Sequence, residues 1–133
     1  MITCDTSGLF SVLDVRDPNH RRSREALRAD RGPFLVPSGI LAEITYMIEA
    51  RLGSGVLDLF LGDLESGAYT LEGGEEDLPR IRALVQRYTD LDLGFADAAV
   101  IACAERSGGR VLTLDLRDFG VVAREGKIRV LPE

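Results

Sequence analysis

The chain has 133 residues, of which 45% are hydrophobic and 29% charged, which is typical of one globular domain. Its formal net charge of −6 argues against a protein that coats nucleic acid non-specifically. A nuclease is not excluded, because a metal site itself concentrates carboxylates. No apolar run approaches the roughly 20 residues of a membrane span, and the first residues do not form a secretory signal. We therefore expect one cytoplasmic domain over residues 1–133.

Short apolar segments alternate with helical segments along the chain. In order, the predicted elements are a strand at 2–4, a helical segment after a turn at 6–8, a helix at 19–29, a strand at 34–36, and helices at 38–52 and 56–65. The second half continues with a strand at 69–71, helices at 77–88 and 95–104, a strand at 111–114, a short helical turn and a strand at 128–131. Fully apolar strands separated by helices predict an α/β fold with a parallel sheet covered on both faces.

The predicted helix at 95–104, FADAAVIACA, is apolar except for Asp97. A helix that is apolar all round is normally buried, and a buried carboxylate is costly unless its charge is compensated or it stays protonated. Asp97 therefore requires a main-chain hydrogen bond, a basic side chain or a metal ion. The alternative for this segment alone is an acid favoured in the first turn of a helix.

Three other carboxylates occupy comparable positions. Asp5 and Asp115 each directly follow a predicted strand, and ligands of open α/β sheets bind at the carboxyl ends of the strands. Glu43 lies in the second turn of the helix after the second strand, at the same edge of the sheet. Converging carboxylates repel one another, and Mg²⁺ or Mn²⁺ would remove that repulsion. With Asp97, these acids predict a metal site that activates water for attack on a phosphodiester.

Other polar residues near these acids have open interpretations. The hydroxyls of Thr6, Ser7 and Thr113 either orient ligands and waters or are structural. Asp118 is either a fifth acid at the rim of the site or a helix cap.

Six arginines lie between residues 16 and 31, interrupted by acids. Arg16, Arg21, Arg22 and Arg24 form either a solvated helix face or a local patch that binds RNA phosphates. The only histidine, His20, lies in this segment, and no GxSxG motif is present, so serine hydrolase chemistry is disfavoured. The sequence also lacks GxxxxGKS and strand-linked GxGxxG motifs of nucleotide cofactor sites.

These segments together resemble the PIN-domain ribonucleases, specifically the VapC-type toxins of bacterial toxin–antitoxin pairs. The matching residues are Asp5 in ITCDTSGL, Glu43 in VPSGILAEITYMI, Asp97 in DLGFADAAVIACAERSGG and Asp115 in VLTLDLRDFG. The resemblance covers essentially the whole chain. It implies a PIN-like three-layer α/β/α domain with a central five-stranded parallel sheet, in which these four acids hold Mg²⁺ or Mn²⁺. It also implies an endoribonuclease, a homodimer and inhibition by a small VapB-like antitoxin.

Two other functions remain open from the sequence. One is a PIN-fold RNA-processing or DNA nuclease outside a toxin system. The other is a non-catalytic signalling module resembling a phospho-receiver, which also gathers acids at strand ends. A receiver needs a lysine after a late strand, whereas Lys127 precedes the last strand.

The predicted helix at 56–65 has an apolar arc wider than one core contact needs. Leu59 and Leu61 lie at opposite edges of this arc, so one of them is expected to face away from the core. With the stripe around Met47, this surface is either core or a groove for the antitoxin or a second subunit.

Overall fold

Five parallel strands form one sheet in the computed structural model, which describes residues 1–133. The strands are β1 (Ile2–Cys4), β2 (Phe34–Pro37), β3 (Thr70–Glu72), β4 (Arg110–Leu112) and β5 (Arg129–Leu131). The helices are α1 (Thr6–Leu13), α2 (His20–Arg28), α3 (Leu41–Leu52), α4 (Ser54–Ser66), α5 (Leu78–Arg87), α6 (Phe95–Glu105) and α7 (Asp118–Arg124). Short 3₁₀ helices occupy Ser38–Ile40, Glu75–Asp77 and Thr89–Leu91. The predicted α/β fold with a five-stranded parallel sheet is confirmed.

The strand order is β3-β2-β1-β4-β5. The chain runs from β1 outward to β2 and β3, returns to β4 beside β1, and continues outward to β5. Right-handed crossovers put α1 to α4 on one face and α5 to α7 on the other. In agreement, α1 packs against α2 and α3, whereas α6 packs against α5 and lies across β1 and β4. The direction of winding reverses between β1 and β4, where sheets of this kind form their ligand sites.

Helix α6 forms the centre of one helical layer, which explains its uniformly apolar sequence. Every residue from Ala98 to Ala104 is buried, because α6 lies between the sheet and α5. Its first turn emerges at the carboxyl edge of the strands, where Asp97 is only half-buried. The helix therefore carries one acid out of the core and into the edge of the sheet.

A close contact between α1 and β4 positions the start of α1. A Cβ atom at Gly8 would lie 2.3 Å from the carbonyl oxygen of Leu112, so only glycine permits this approach. The contact brings Ser7 to the end of β4. Ser7 at the start of α1 therefore contacts both Asp5, which follows β1, and Leu114, which follows β4.

Three sequence predictions of local structure are wrong in detail. No turn separates β1 from α1, because the Leu9 N–H already bonds the carbonyl of Asp5 as the first step of the helix. Strand β4 ends at Leu112, so Asp115 follows it at a distance of three residues rather than directly. Glu43 lies in the first turn of α3, because a 3₁₀ helix takes up Ser38–Ile40.

The structure also shows where the two cysteines lie and how long the apolar helices are. Cys4 and Cys103 are both buried and unpaired. Burial raises the pKa of the Cys4 thiol to about 12, so this sulfur is held in its unreactive form. No helix combines the length and apolarity that crossing a membrane requires.

Candidate active site

Three carboxylates meet at the reversal point of the sheet. One carboxylate oxygen from each of Asp97, Asp115 and Asp118 lies within 4.8 Å of one from each of the others. Asp97 comes from the first turn of α6, Asp115 from the loop after β4, and Asp118 from the start of α7. Three elements that are distant in sequence thus contribute one acid each, and we call this group the acid cluster.

Asp118, for which the sequence left a fifth acid or a helix cap open, lies in the acid cluster at the first residue of α7. One of its carboxylate oxygens lies within 4.8 Å of one from Asp97, and its main-chain N–H donates to Asp115 Oδ1 at 3.3 Å. Its Oδ1 atom is buried without any hydrogen-bond partner. A buried carboxylate oxygen without a partner is unfavourable in a closed structure and is suited to accept a cation.

Asp5 lies beside the acid cluster and is held by two hydroxyl groups. Ser7 Oγ donates to Asp5 Oδ2 at 3.0 Å, and Thr113 Oγ1 donates to the same oxygen at 2.7 Å. The two hydroxyls accept main-chain N–H groups of Leu114 and Asp115, at 2.9 and 3.0 Å, so their own protons point to Asp5. The supporting roles predicted for Ser7 and Thr113 therefore have a geometric basis, with Oδ2 fixed in position.

Burial and mutual repulsion raise the pKa values of two of these acids. The pKa of Asp97 rises to about 7, mainly because of desolvation, then because of the charge of Asp5 and its hydrogen bond with Asp118. Desolvation also raises the pKa of Asp5, although the hydroxyls of Thr113 and Ser7 oppose this shift. The site therefore holds more negative charge than its surroundings stabilise at neutral pH.

Glu43 and Thr6 are not placed as the sequence suggested. Glu43 is exposed in the first turn of α3 and lies outside the acid cluster. Its long side chain stays in solvent, where it avoids repulsion from the other carboxylates, and its role as a ligand stays a prediction. The buried hydroxyl of Thr6 makes no hydrogen bond, so it does not orient Asp5 as Ser7 and Thr113 do.

The residues of this site fit a divalent cation. The donor set consists of carboxylate oxygens, which Mg²⁺ and Mn²⁺ prefer, and a structural ion pair is not available to offset their charge. The buried Oδ1 atom of Asp118, which has no hydrogen-bond partner, is the kind of oxygen that a cation would take as a ligand. Asp97, Asp115 and Asp118 would hold the ion, with Asp5 beside them.

Only one of the four proposed RNA-binding arginines contacts the surroundings of the site. Arg22 lines a shallow recess with Thr113, Leu114 and Leu116, directly beyond the carboxylates. Arg21 forms an exposed ion pair with Glu25 at 3.1 Å. The remaining two, Arg16 and Arg24, are exposed on or near α2. Of the four arginines that the sequence proposed, Arg22 is thus the one that lies next to residues of the loop after β4.

The fold and these carboxylates define an α/β domain with an acidic site at the reversal of its strand order. A family model of the PIN domain matches residues 2–125, and the chain belongs to the PIN-domain family. The chain is 30% identical over 132 residues to Ribonuclease VapC26 of Mycobacterium tuberculosis (strain ATCC 25618 / H37Rv), covering 96% of this chain and 98% of that protein.

A solved structure has the same fold. The crystal structure of Mycobacterium tuberculosis VapC20, described as a toxin that cleaves the sarcin–ricin loop, superposes with a TM-score of 0.80. It is 16% identical and covers 92% of this chain and 95% of its own. The resemblance to PIN-domain proteins of the VapC type is therefore confirmed.

The strand order also argues against the receiver-like alternative. Receivers have the flavodoxin-like order 2-1-3-4-5, whereas this sheet has the order 3-2-1-4-5. Lys127 is exposed before β5 rather than placed at the acidic edge. A lysine in that position does not serve an acyl phosphate at the carboxyl ends of the strands.

Proposed function

We propose that this protein is a Mg²⁺- or Mn²⁺-dependent endoribonuclease and the toxin of a type II toxin–antitoxin pair. The observation that carries the proposal is the packing of three carboxylates within 4.8 Å beside Asp5, at the reversal point of the sheet. The similarity to a ribonuclease over 96% of the chain supports RNA rather than DNA as the substrate.

The side chains of the site have distinct tasks in this proposal. A bound divalent cation supplies a water that is nucleophilic at neutral pH and offsets the charge of the scissile phosphate. Asp97, Asp115 and Asp118 would hold the ion, with Asp5 beside them and its Oδ2 atom oriented by Ser7 and Thr113. Glu43 is the further ligand implied by the family resemblance, and it would turn inward from α3.

The RNA backbone is positioned by arginine. Arg22 lies in the recess beyond the carboxylates, where a phosphate next to the scissile one would meet its guanidinium group. Arg21 and Arg24 extend this positive surface along α2, and Arg16 adds to it from the turn before the helix. The arginines compensate locally for the net negative charge of the chain, which would otherwise repel RNA.

The partners in this proposal are a second copy of the chain and a small VapB-like antitoxin. Leu59 and Leu61 are both exposed on α4, at 69% and 46%, whereas Phe60 between them is buried. The sequence suggested that one of the two leucines faces outward, and both do. The two leucines flank the buried face of α4, and exposed apolar side chains at such edges are candidates for contact with another chain.

A cleavage assay on total RNA tests the proposed activity. We expect cleavage with Mg²⁺ or Mn²⁺, none with EDTA, and none by the Asp97→Asn variant, because asparagine cannot supply the charge that holds the ion. Asp90→Asn, which changes an exposed acid outside the site, is the control and should cut normally. Cleavage by Asp97→Asn at the wild-type rate would reject the assignment, and cleavage of DNA in preference to RNA would favour a nuclease outside a toxin system.

A further inference from the structure

An open cleft of about 150 Å³ lies on the same edge of the sheet as the acid cluster, at the ends of β2 and β3. Phe95 forms one end of this cleft, and its side chain is 55% exposed. Phe95 is the first residue of α6, two residues before Asp97. One helical turn therefore carries both an exposed aromatic ring and an acid of the site.

Two glycines line the cleft near the ring of Phe95 or across from α6. A Cβ atom at Gly39 would lie 2.6 Å from the Cβ atom of Ala99 and 3.2 Å from the ring of Phe95, so glycine permits the main chain to pack closely against the first turns of α6. Gly73 has a φ of 102°, and a Cβ atom there would lie 3.3 Å from Asp77 Oδ2 and 3.4 Å from Ser38 Oγ. A side chain at Gly39 would displace the ring of Phe95, so this glycine helps to hold the ring at the cleft.

One arginine offsets part of the negative charge of the cleft, which three carboxylates line. Arg106 donates to both carboxylate oxygens of Asp77, at 2.9 and 3.0 Å, and to Glu72 at 3.2 Å. Of the acids that line the cleft, only Glu75 has no ion pair. A partly apolar cleft with an aromatic ring and an excess of carboxylates disfavours a phosphate and suits a planar, uncharged group. Nucleobases stack on aromatic side chains whatever their sequence.

We propose that Phe95 binds an unpaired base of the RNA, next to the phosphate that the acid cluster attacks. This inference rests on the proposed ribonuclease function. Phe95 and Asp97 are separated by about 3 Å along the helix axis and face different sides of the first turn. A base in the cleft would thus belong to a nucleotide close to the attacked phosphate, and it must be unstacked from any duplex.

A comparison of substitutions at Phe95 tests the stacking role. On a short single-stranded RNA that carries the mapped cut site, Phe95→Leu should lower kcat/KM by about tenfold or more, because leucine keeps apolar bulk but lacks a π face. Phe95→Tyr should lose much less. The matched control is Tyr46→Leu, which removes a ring that is 75% exposed on α3 outside the cleft and should leave cleavage unchanged. Equal losses in the two leucine variants would overturn the proposal.

Abasic substrates locate the base. Each nucleotide near the cut site is replaced in turn by an abasic one, and wild type is compared with Phe95→Leu. We expect one position at which the missing base slows wild type but not the variant, because the contact is already absent. Equal slowing of both proteins at every position would contradict a base on Phe95.

A binding measurement separates this inference from the proposed function. RNA that carries 2-aminopurine at the position found with the abasic substrates is titrated with the Asp97→Asn protein. We expect the fluorescence of the 2-aminopurine to be quenched by this protein and not by the double variant that also carries Phe95→Leu. If wild type cuts no RNA, the proposed activity fails, while the quenching still decides whether Phe95 holds a base. If wild type cuts RNA and neither cleavage nor quenching depends on Phe95, only the stacking role is overturned. A Phe95→Leu variant that loses only antitoxin affinity would assign the cleft to a protein partner.

Discussion

At the scale of single residues, Asp97 joins the buried core to the chemistry of the site. The rest of α6 is apolar because it packs between the sheet and α5, and Asp97 projects from its first turn toward Asp118. Because the pKa of this carboxyl group is about 7, a substantial fraction of the metal-free molecules carry it protonated near neutral pH. The same desolvation that disfavours the free carboxylate would strengthen its attraction to a bound ion.

The raised pKa of Asp97 makes the stability of the metal-free protein depend on pH. Because the pKa rises from 3.8 to about 7 on folding, the folded protein binds this proton more tightly than the unfolded chain does. The free energy of unfolding should therefore be largest below this window and fall as pH rises from about 4 to about 7. The Asp97→Asn variant should lose most of this decrease in the free energy of unfolding. Above about pH 7 it should be more stable than wild type, as measured by urea unfolding in EDTA. An equally steep fall in the asparagine variant would show that other groups cause it.

The hydroxyl of Thr113 provides a second test at this scale. Thr113→Val removes the donor to Asp5 Oδ2 and the acceptor for the Asp115 N–H, so two acids lose their orientation. We expect Mn²⁺ affinity to fall by about 10- to 100-fold in a calorimetric titration. Thr45→Val is the matched control, because the Thr45 hydroxyl bonds only main-chain carbonyls within α3. Unchanged affinity in Thr113→Val would mean that the hydroxyl is purely structural.

At the scale of elements, the site depends on how closely helices approach the strands. Helix α1 touches the main chain of β4 at Gly8, and this contact sets the distance at which Ser7 reaches Leu114 and Asp5. On the other face, Arg80 holds Glu105 through two hydrogen bonds of 2.8 Å and ties α5 to the end of α6. The site is therefore positioned by packing as much as by the residues within it.

A methyl group at Gly8 should disturb this packing strongly. Gly8→Ala places a Cβ atom 2.3 Å from the Leu112 carbonyl oxygen, so α1 must move away from β4. We expect urea unfolding to show a loss of about 1–3 kcal/mol or more, together with weaker metal binding. Gly62→Ala is the control, because nothing lies within 4 Å of its added Cβ, and this helix substitution should instead stabilise the protein by about 0.5–1 kcal/mol. A Gly8→Ala protein as stable as wild type would contradict the close contact.

At the scale of the whole molecule, two surfaces with different chemistry are separated. The acidic site and the recess of Arg22 lie at the carboxyl edge of the sheet, whereas Leu59 and Leu61 lie on the outer side of α4. In the proposed function, the first surface acts on RNA and the second binds another chain. Substitutions at one surface should then leave the other function intact.

Charged substitutions on α4 test this separation. Leu59→Glu and Leu61→Glu should leave the thermal unfolding temperature close to that of wild type, because both side chains are already exposed. At least one should weaken self-association in sedimentation experiments or binding to the antitoxin, because a buried carboxylate at an interface is costly. Unfolding of both variants would instead assign the leucines to the core. Unchanged association in both would show that α4 is not the covered surface.

The sequence alone was enough to predict the parallel α/β sheet and most of the acids at its edge. Fully apolar strands, helices between them and a lone acid in an apolar helix are local patterns, and Asp5 and Asp97 were identified from them. Local patterns also placed most helices and strands within a few residues of their observed bounds. These features could be predicted because each depends on the periodicity and burial of a single segment.

Only the tertiary structure decided which acids meet. Asp118 joins Asp97 and Asp115 because α7 starts directly above them, while a 3₁₀ helix before α3 leaves Glu43 in solvent. The clamp of Ser7 and Thr113 on Asp5 likewise depends on the close approach of α1 to β4. The direction in which a side chain points from the end of an element depends on the packing of its neighbours, and no pattern within one segment contains that information.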